Sequence, residues 1–456
     1  MKFSTINPAT EEKIADFDTM AKTDVLAILK KTHDAFTDWK QTSTHDRAKL
    51  FRNLADVLRK NKQKYAALIT KEMGKPIKES LAEVEKCAWT CEVYAEHGPA
   101  WLLDKSMSAD GIKHLIVFEP LVVILAVMPW NYPFWQALRF GIPTLMAGNG
   151  ALLKHASNVP ECAMAIEDAF SQARFPKNLF RTVFTDHSTI AEFISSPLIR
   201  GISLTGSTPA GKRIAELAGK NLKKVVLELG GSDPFIVLDD ADIDKAAKNA
   251  ALGRFMNAGQ SCIASKRFIV MEKIASAFTE KFKEEVKKKI VGDPASENTA
   301  MGPLVNKDGL LGVEEQVIDA LAKGGKVVLG GKRREGKGFY YEPTIITNVT
   351  ADMRITKEEV FGPVAPIIPV KNLAEAVAIA NSLEFGLGGS IWTKDLMKGE
   401  EIARRITAGA VFVNSITKSD PRMPFGGVKE SGLGRELGEY GLKEFVNIKS
   451  INIYEG

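Results

Sequence analysis

Leu121-Val122-Val123-Ile124-Leu125-Ala126-Val127 is the stretch whose reading decides the fold. The run is unbroken and apolar, too short to cross a membrane, and it lacks the alternation of a strand with one wet face. It suits a strand covered on both faces of a parallel sheet. Downstream the same texture returns at intervals with helical segments between. Residues 131–145 read as a helix, and Ala151-Leu152-Leu153-Lys154 as a second strand. Residues 158–171 form a helix opened by Pro160, and Gly201-Ile202-Ser203-Leu204-Thr205 is a third strand. A helix over 209–217 and the strand Lys224-Val225-Val226-Leu227-Glu228-Leu229 follow. This rhythm predicts an α/β protein with a doubly wound, Rossmann-like sheet.

Upstream, residues 23–39, 47–73 and 77–96 carry apolar residues at helical spacing. Ser108-Ala109-Asp110-Gly111 then makes a turn, and His114 to Pro120 reads as one arm of a hairpin projecting between domains. A second α/β region covers about 231–440. Its strand candidates lie at 235–238, 267–270, 326–329, 365–370, 390–393 and 409–414, with helices starting near Asp242, Ile274, Leu373 and Met397. A last strand, 448–454, stands alone and could pair with a neighbour or with the hairpin near 115.

Composition narrows the function classes. The chain has 456 residues, 45% hydrophobic and 26% charged, which is ordinary for a globular enzyme of two or three domains. A net charge of +5 is too dilute to argue for nucleic acid, and the short basic runs at 287–289 and 332–334 read as solvated faces. The N-terminus has no apolar leader-like region, and no segment is long enough for a membrane helix. Four cysteines make no disulfide framework, and the six histidines show no metal-ligand spacing, so no metal is expected. Cys87, Cys91 and Cys162 read as small buried hydrophobes. A cytoplasmic setting, reduced enough for a working thiol, is the expectation.

Three segments carry chemistry. In Phe255-Met256-Asn257-Ala258-Gly259-Gln260-Ser261-Cys262, a glycine and small residues precede a cysteine, letting the backbone approach a ligand and leaving the sulfur accessible. A thiolate there would attack a carbonyl carbon. Glu228 ends an apolar strand before Gly230-Gly231, and burial would raise its pKa toward that of a general base. Asn131, in Pro129-Trp130-Asn131-Tyr132-Pro133, offers an amide N–H to a developing oxyanion, or serves as a helix cap between two prolines. Each signal alone is weak.

Their joint order and local sequence closely resemble the aldehyde dehydrogenase superfamily. The resemblance runs from Asn7-Pro8-Ala9-Thr10 through Glu359-Val360-Phe361-Gly362-Pro363 to Pro424-Phe425-Gly426-Gly427 and Lys429-Glu430-Ser431-Gly432. It implies that Cys262 is the nucleophile, that Asn131 and the cysteine's own N–H hold the oxyanion, and that Glu228 activates the water that hydrolyses a thioester. It also implies a cofactor-binding domain over 1–107 and 121–230, a catalytic domain over 231–440, and an oligomerisation element made of 108–120 and 441–456. Relatives are homodimers or homotetramers. The residues after the nucleophile are Ile263-Ala264-Ser265, so no second cysteine stands beside Cys262 for a redox disulfide.

For the cofactor, the resemblance points to Lys154 at the adenosine ribose and to Trp130 and Ser207 as phosphate contacts. Gly206 and Gly211 belong to the turn that opens a helix under a pyrophosphate. Glu359 is expected on the nicotinamide ribose, with Leu229 and Phe361 beside it. Ser157 stands three residues after Lys154, where many NAD-preferring relatives have a glutamate. A serine there does not repel a 2′-phosphate, so NADP is the preferred cofactor, with NAD as the second choice.

For the substrate, Asn131, Trp135 and Arg139 are spaced i, i+4, i+8 and would form one helix face. Arg139 would clamp a carboxylate at the substrate's far end, or else pair structurally with a neighbouring acid. Ser419 lies where relatives contact the substrate tail. Ala95-Glu96-His97-Gly98-Pro99-Ala100, Leu153-Lys154-His155-Ala156 and Gly230-Gly231-Ser232-Asp233-Pro234-Phe235 most resemble the bacterial succinate-semialdehyde dehydrogenase branch. A four-carbon aldehyde bearing a carboxylate is the small-molecule substrate this implies. The alternatives are another aliphatic or amino aldehyde, a CoA-acylating relative (which the presence of Glu228 disfavours) and a non-catalytic binding protein on the same scaffold.

Overall fold

The computed structural model describes residues 2–456. The run that opened the sequence reading becomes the strand Val123–Met128, at the centre of a six-stranded sheet. The order across that sheet is Gly432–Leu433, Lys224–Glu228, Ile199–Thr205, Val123–Met128, Gly150–His155 and Phe180–Thr182. All neighbours are parallel except Gly432–Leu433. The chain therefore winds outward one way from Val123–Met128 and returns to its other side with Ile199–Thr205. The crevice outside the carboxyl ends of those two strands is where such sheets bind ligands. Helices Thr44–Lys60, Lys62–Met73, Ile77–Trp101 and Pro133–Met146 share one apolar core with this sheet.

A seven-stranded sheet forms the second region, in the order Lys326–Leu329, Thr344–Thr347, Val364–Val370, Ser265–Met271, Asp233–Val237, Gly388–Trp392 and Ala410–Val413. Only its first pair is antiparallel. Gly432–Leu433 leaves this region to pair with Lys224–Glu228, which ties the C-terminal segment to the first sheet. The isolated C-terminal strand, Val446–Ile453, pairs along its full length with Lys113–Pro120, which also forms a hairpin with Lys105–Met107.

Two expectations need correction. The pattern over 47–73 is two helices, because Asn61 closes one and opens the next. The helix expected from 131 begins at Pro133, whose ring suits a first helical position, so Asn131 lies in the preceding turn and does not share a helical face with Trp135 and Arg139. Gly259 is required by the backbone itself. Its φ is +74°, and a side chain there would collide with the Gly362 carbonyl oxygen at 2.4 Å. Among the described residues, no helix is long and apolar enough to cross a membrane.

Candidate active site

Cys262 follows a distorted turn, Met256–Gly259, in which Asn257 and Ala258 both hold left-handed backbone with φ of 52° and 54°. Such conformations persist only where surroundings enforce them. Here the Asn257 N–H donates to Glu79 Oε2 at 2.8 Å, and its side-chain amide donates to the carbonyls of Asn131 and Gln260 at 2.9 and 3.1 Å. Asn131 donates in turn to the Gln260 carbonyl at 3.1 Å. An amide nitrogen carries two hydrogens, so this bond locks the Asn131 side chain and leaves its second N–H available. The turn before Cys262 and the oxyanion candidate thus brace each other.

Lys266 completes the support. It is 1% exposed, and its ammonium donates to the carbonyls of Ser261 and Cys262 at 2.8 and 2.7 Å. It also pairs with Glu359 at 3.2 Å, and Glu359 accepts the Gly231 N–H at 3.1 Å. One buried cation therefore links the Cys262 turn to the carboxylate expected on the nicotinamide ribose. The sequence signal was only a lysine four residues after the cysteine, and nothing in that spacing marks the link.

Cys262 lies in the walls of two cavities. One, of about 320 Å³, is lined by Trp130, Asn131, Thr205, Gly206, Ser207, Leu229, Gly230, Glu359 and Phe361 at the carboxyl ends of the first sheet. The Trp130 and Phe361 rings meet edge to face at 5.8 Å. Lys154 and Ser157 lie outside this lining. Lys154 ends the strand Gly150–His155, and burial alone pulls its ammonium below the ordinary range, with no acidic neighbour to raise it. Ser157 is exposed. Gly211 has a packing role, because a side chain there would strike Leu229 at 2.5 Å. The Ser207 hydroxyl at the start of the helix Thr208–Lys220 and the uncompensated Lys154 make a donor set that fits a dinucleotide, while the N–H groups of Gly206 and Gly211 are already bonded to the carbonyls of Glu228 and Ser207.

The other cavity, of about 210 Å³, is lined on its polar side by Glu79, Glu83, Lys86, Arg139, Lys418 and Ser419, with Trp135, Tyr132, Ile416 and Phe425 as apolar wall. It is smaller than the about 300–1,000 Å³ typical of pockets for drug-sized ligands, so it fits a short molecule. Trp135, Arg139 and Ser419 are brought together here, as the sequence implied. The Arg139 guanidinium, however, is already paired with Glu436, donates to Thr205 at 3.2 Å and lies 4.9 Å from the Phe425 ring centre. Its charge is balanced inside the protein. Lys86, Glu79 and Glu436 were not among the residues singled out from sequence. Nothing local marks them, since Lys86 and Glu79 lie far along the chain from the cysteine whose cavity they line, and Glu436 lies far from its partner Arg139.

Electrostatics set the resting state. Burial pushes the Cys262 thiol up to about 12, against the opposing pull of Lys266 and Arg139. The thiol is therefore neutral at rest. Glu228 is 2% exposed, and neither carboxylate oxygen has a hydrogen-bond partner. Burial first, and the charge of Glu436 second, hold its carboxyl well above the ordinary range. Glu228 lines neither cavity.

The family model described as "Aldehyde dehydrogenase family" matches residues 1–451. The NADP(+) succinate-semialdehyde dehydrogenase 1 of Mycobacterium tuberculosis is 45% identical over 454 residues, covering 99% of both chains. The NAD(P)+ succinate semialdehyde dehydrogenase of Escherichia coli is 44% identical over 446 residues, covering 98% of this chain and 96% of that one. The succinic semialdehyde dehydrogenase of Streptococcus pyogenes, solved in complex with NADP+ as the cofactor, superposes with a TM-score of 0.97. It is 37% identical and covers 99% of this chain and 100% of that one. A cysteine shared by a crevice at the sheet's switch point and by a small second cavity agrees with these likenesses over the full length: the chain belongs to the aldehyde dehydrogenase family.

Proposed function

We propose that the protein oxidises succinate semialdehyde, or a similar short carboxylate-bearing aldehyde, to the acid, with NADP+ preferred over NAD+. The observation that carries this is the position of Cys262 in the common wall of the two cavities, one small enough for a short aldehyde and one at the carboxyl ends of the first sheet, where such sheets bind dinucleotides. The named relatives at 44–45% identity support the substrate and cofactor.

In this reading the Cys262 thiol gives up its proton to solvent water as its sulfur bonds to the aldehyde carbon, giving a thiohemiacetal whose oxyanion takes the free Asn131 N–H. The bound nicotinamide supplies the acceptor for the hydride that leaves this carbon. A thioester remains on Cys262. Glu228, once ionised, takes a proton from water, and the resulting attack releases the acid and the thiol. Because Glu228 lines neither cavity at rest, its side chain must turn toward Cys262 for this step. Trp130, Ser207, Glu359 and Phe361 would hold the dinucleotide. Lys154 and Ser157 would meet a 2′-phosphate.

We further infer a division into a cofactor-binding domain over 1–107 and 121–230, a catalytic domain over 231–440 and an oligomerisation element of 108–120 with 441–456. The exposed Ile448 and Ile453 on the last strand, with Tyr454 after it, support a homodimer or homotetramer. A cytoplasmic location goes with the free thiol.

Initial rates for succinate semialdehyde, pentanal and 4-aminobutanal with both cofactors test the reading. Glu79, an acid on the same cavity wall, is the feature that favours an amino aldehyde. Preference for succinate semialdehyde with NADP+, together with an acyl adduct on the Cys262 peptide caught in mid-turnover, is the expected result. No adduct on that peptide would overturn it.

A further inference from the structure

We infer that Lys86, with Ser419 beside it, is the residue that recognises the substrate's distal carboxylate and so sets specificity, in place of Arg139. This rests on the reading of the substrate as a short aldehyde bearing a carboxylate. Lys86 projects from the helix Ile77–Trp101 into the small cavity that Cys262 also lines. Its ammonium donates to Ser419 Oγ at 2.6 Å and lies 4.1 Å from the Trp135 ring centre. Ser419 accepts that bond, so its own hydroxyl hydrogen is left to donate. A carboxylate placed against this pair meets a charge and a hydroxyl donor together, the arrangement of a charge-assisted site.

The charges around Lys86 single it out. Arg139 is paired with Glu436, Glu83 with Lys75, and Asp420 with Arg422 at 2.7 Å. Glu79 accepts the Asn257 N–H, Cys87 is buried and neutral, and Lys418 is exposed, where water screens it. Among the described residues, Lys86 is the half-buried cation of this cavity with no carboxylate in an ion pair. Burial pulls its ammonium down to about 8, with the nearby Arg139 charge adding to the effect. A half-buried charge without a counter-ion is a standing cost that an incoming carboxylate relieves. The same carboxylate gains less from Arg139, because Glu436 already occupies it and repels a second anion.

Lys86→Met keeps the length of the side chain and the contact with Trp135 while removing the charge. Its KM for succinate semialdehyde should rise about ten- to hundredfold with kcat little changed, while the KM for pentanal stays level or falls. Lys86→Arg should restore most of the discrimination. In the unmodified enzyme, the ratio of kcat/KM for succinate semialdehyde to that for pentanal should hold at neutral pH and fall as pH rises through about 8. That ratio cancels the titration of groups common to both reactions and needs no variant to fold. If Lys86→Met leaves the discrimination intact, or the ratio is flat through that range, the inference is wrong although the substrate reading stands. If the unmodified enzyme shows no preference for succinate semialdehyde over pentanal, the substrate reading itself fails.

Discussion

The two cavities that meet at Cys262 are built by different means. The larger is made of turns that follow strands: Trp130 and Asn131 after Val123–Met128, Gly206 and Ser207 after Ile199–Thr205, Leu229 and Gly230 after Lys224–Glu228. The smaller is made of side chains from four separated places: residues 79–86, 132–139, 256–263 and 416–425. A dinucleotide phosphate is held by backbone N–H groups and a helix start, which any sequence with the right turn supplies. A short aldehyde is selected by side-chain charge and volume, which can come from anywhere the fold brings close. The first kind of site is constrained by topology, and the second is free to vary within the family.

The strongest way to break the contrast is to remove the atom both cavities share. Cys262→Ala should lower kcat by about 10⁴-fold or more, yet leave cofactor binding measurable by fluorescence titration, because the larger cavity keeps its walls. Activity near the parent level would separate the chemistry from the junction altogether. Next in size, Glu228→Gln should lower steady-state kcat by about 10²–10⁴-fold while leaving a rapid burst of reduced cofactor near one equivalent per subunit. Loss of the burst along with turnover would place Glu228 before acylation.

A smaller effect sharpens the cofactor side alone. Ser157→Glu should cut kcat/KM for NADP+ by about tenfold to a hundredfold through repulsion of the 2′-phosphate, with that for NAD+ held or raised. Equal effects on both would mean that Ser157 does not face the ribose. The smallest effect concerns the electrostatic link between the two sides. The Glu228 carboxyl is raised by burial and by the charge of Glu436, so it ionises only above the ordinary carboxylate range. Removing that charge with Glu436→Gln lowers its pKa. The rising limb of kcat against pH should then move toward acid. The same change leaves the Arg139 guanidinium buried without its partner, so a loss of stability of about 3–5 kcal/mol should accompany it in denaturant titrations. A limb that does not move would show that the two carboxylates do not sense each other.

The legibility of the sequence follows the same division. Cys262, Glu228 and Asn131 could be picked out because each stands beside glycine or proline at a strand end or turn, where local chemistry is compressed into a few residues. Arg139 was legible as a pocket residue from its spacing to Trp135. Its pairing with Glu436 was not, since the partners are brought together only when Gly432–Leu433 adds to the first sheet. Asn131 was placed on the helix because the apolar pattern continues through it, while Pro133 fixes the helical start two residues later. Lys86 reads in sequence as one more exposed lysine on a helix.

The sequence by itself determined the doubly wound sheet and singled out Cys262 and the turns at the strand ends, because hydrophobic periodicity and glycine-bearing turns act over a few residues. Only the tertiary structure decided which charges are spent on one another and which remain for a ligand. The Arg139–Glu436 pair depends on the distance between segments hundreds of residues apart, and burial, which sets the Cys262 and Glu228 protons, is a property of everything packed around them.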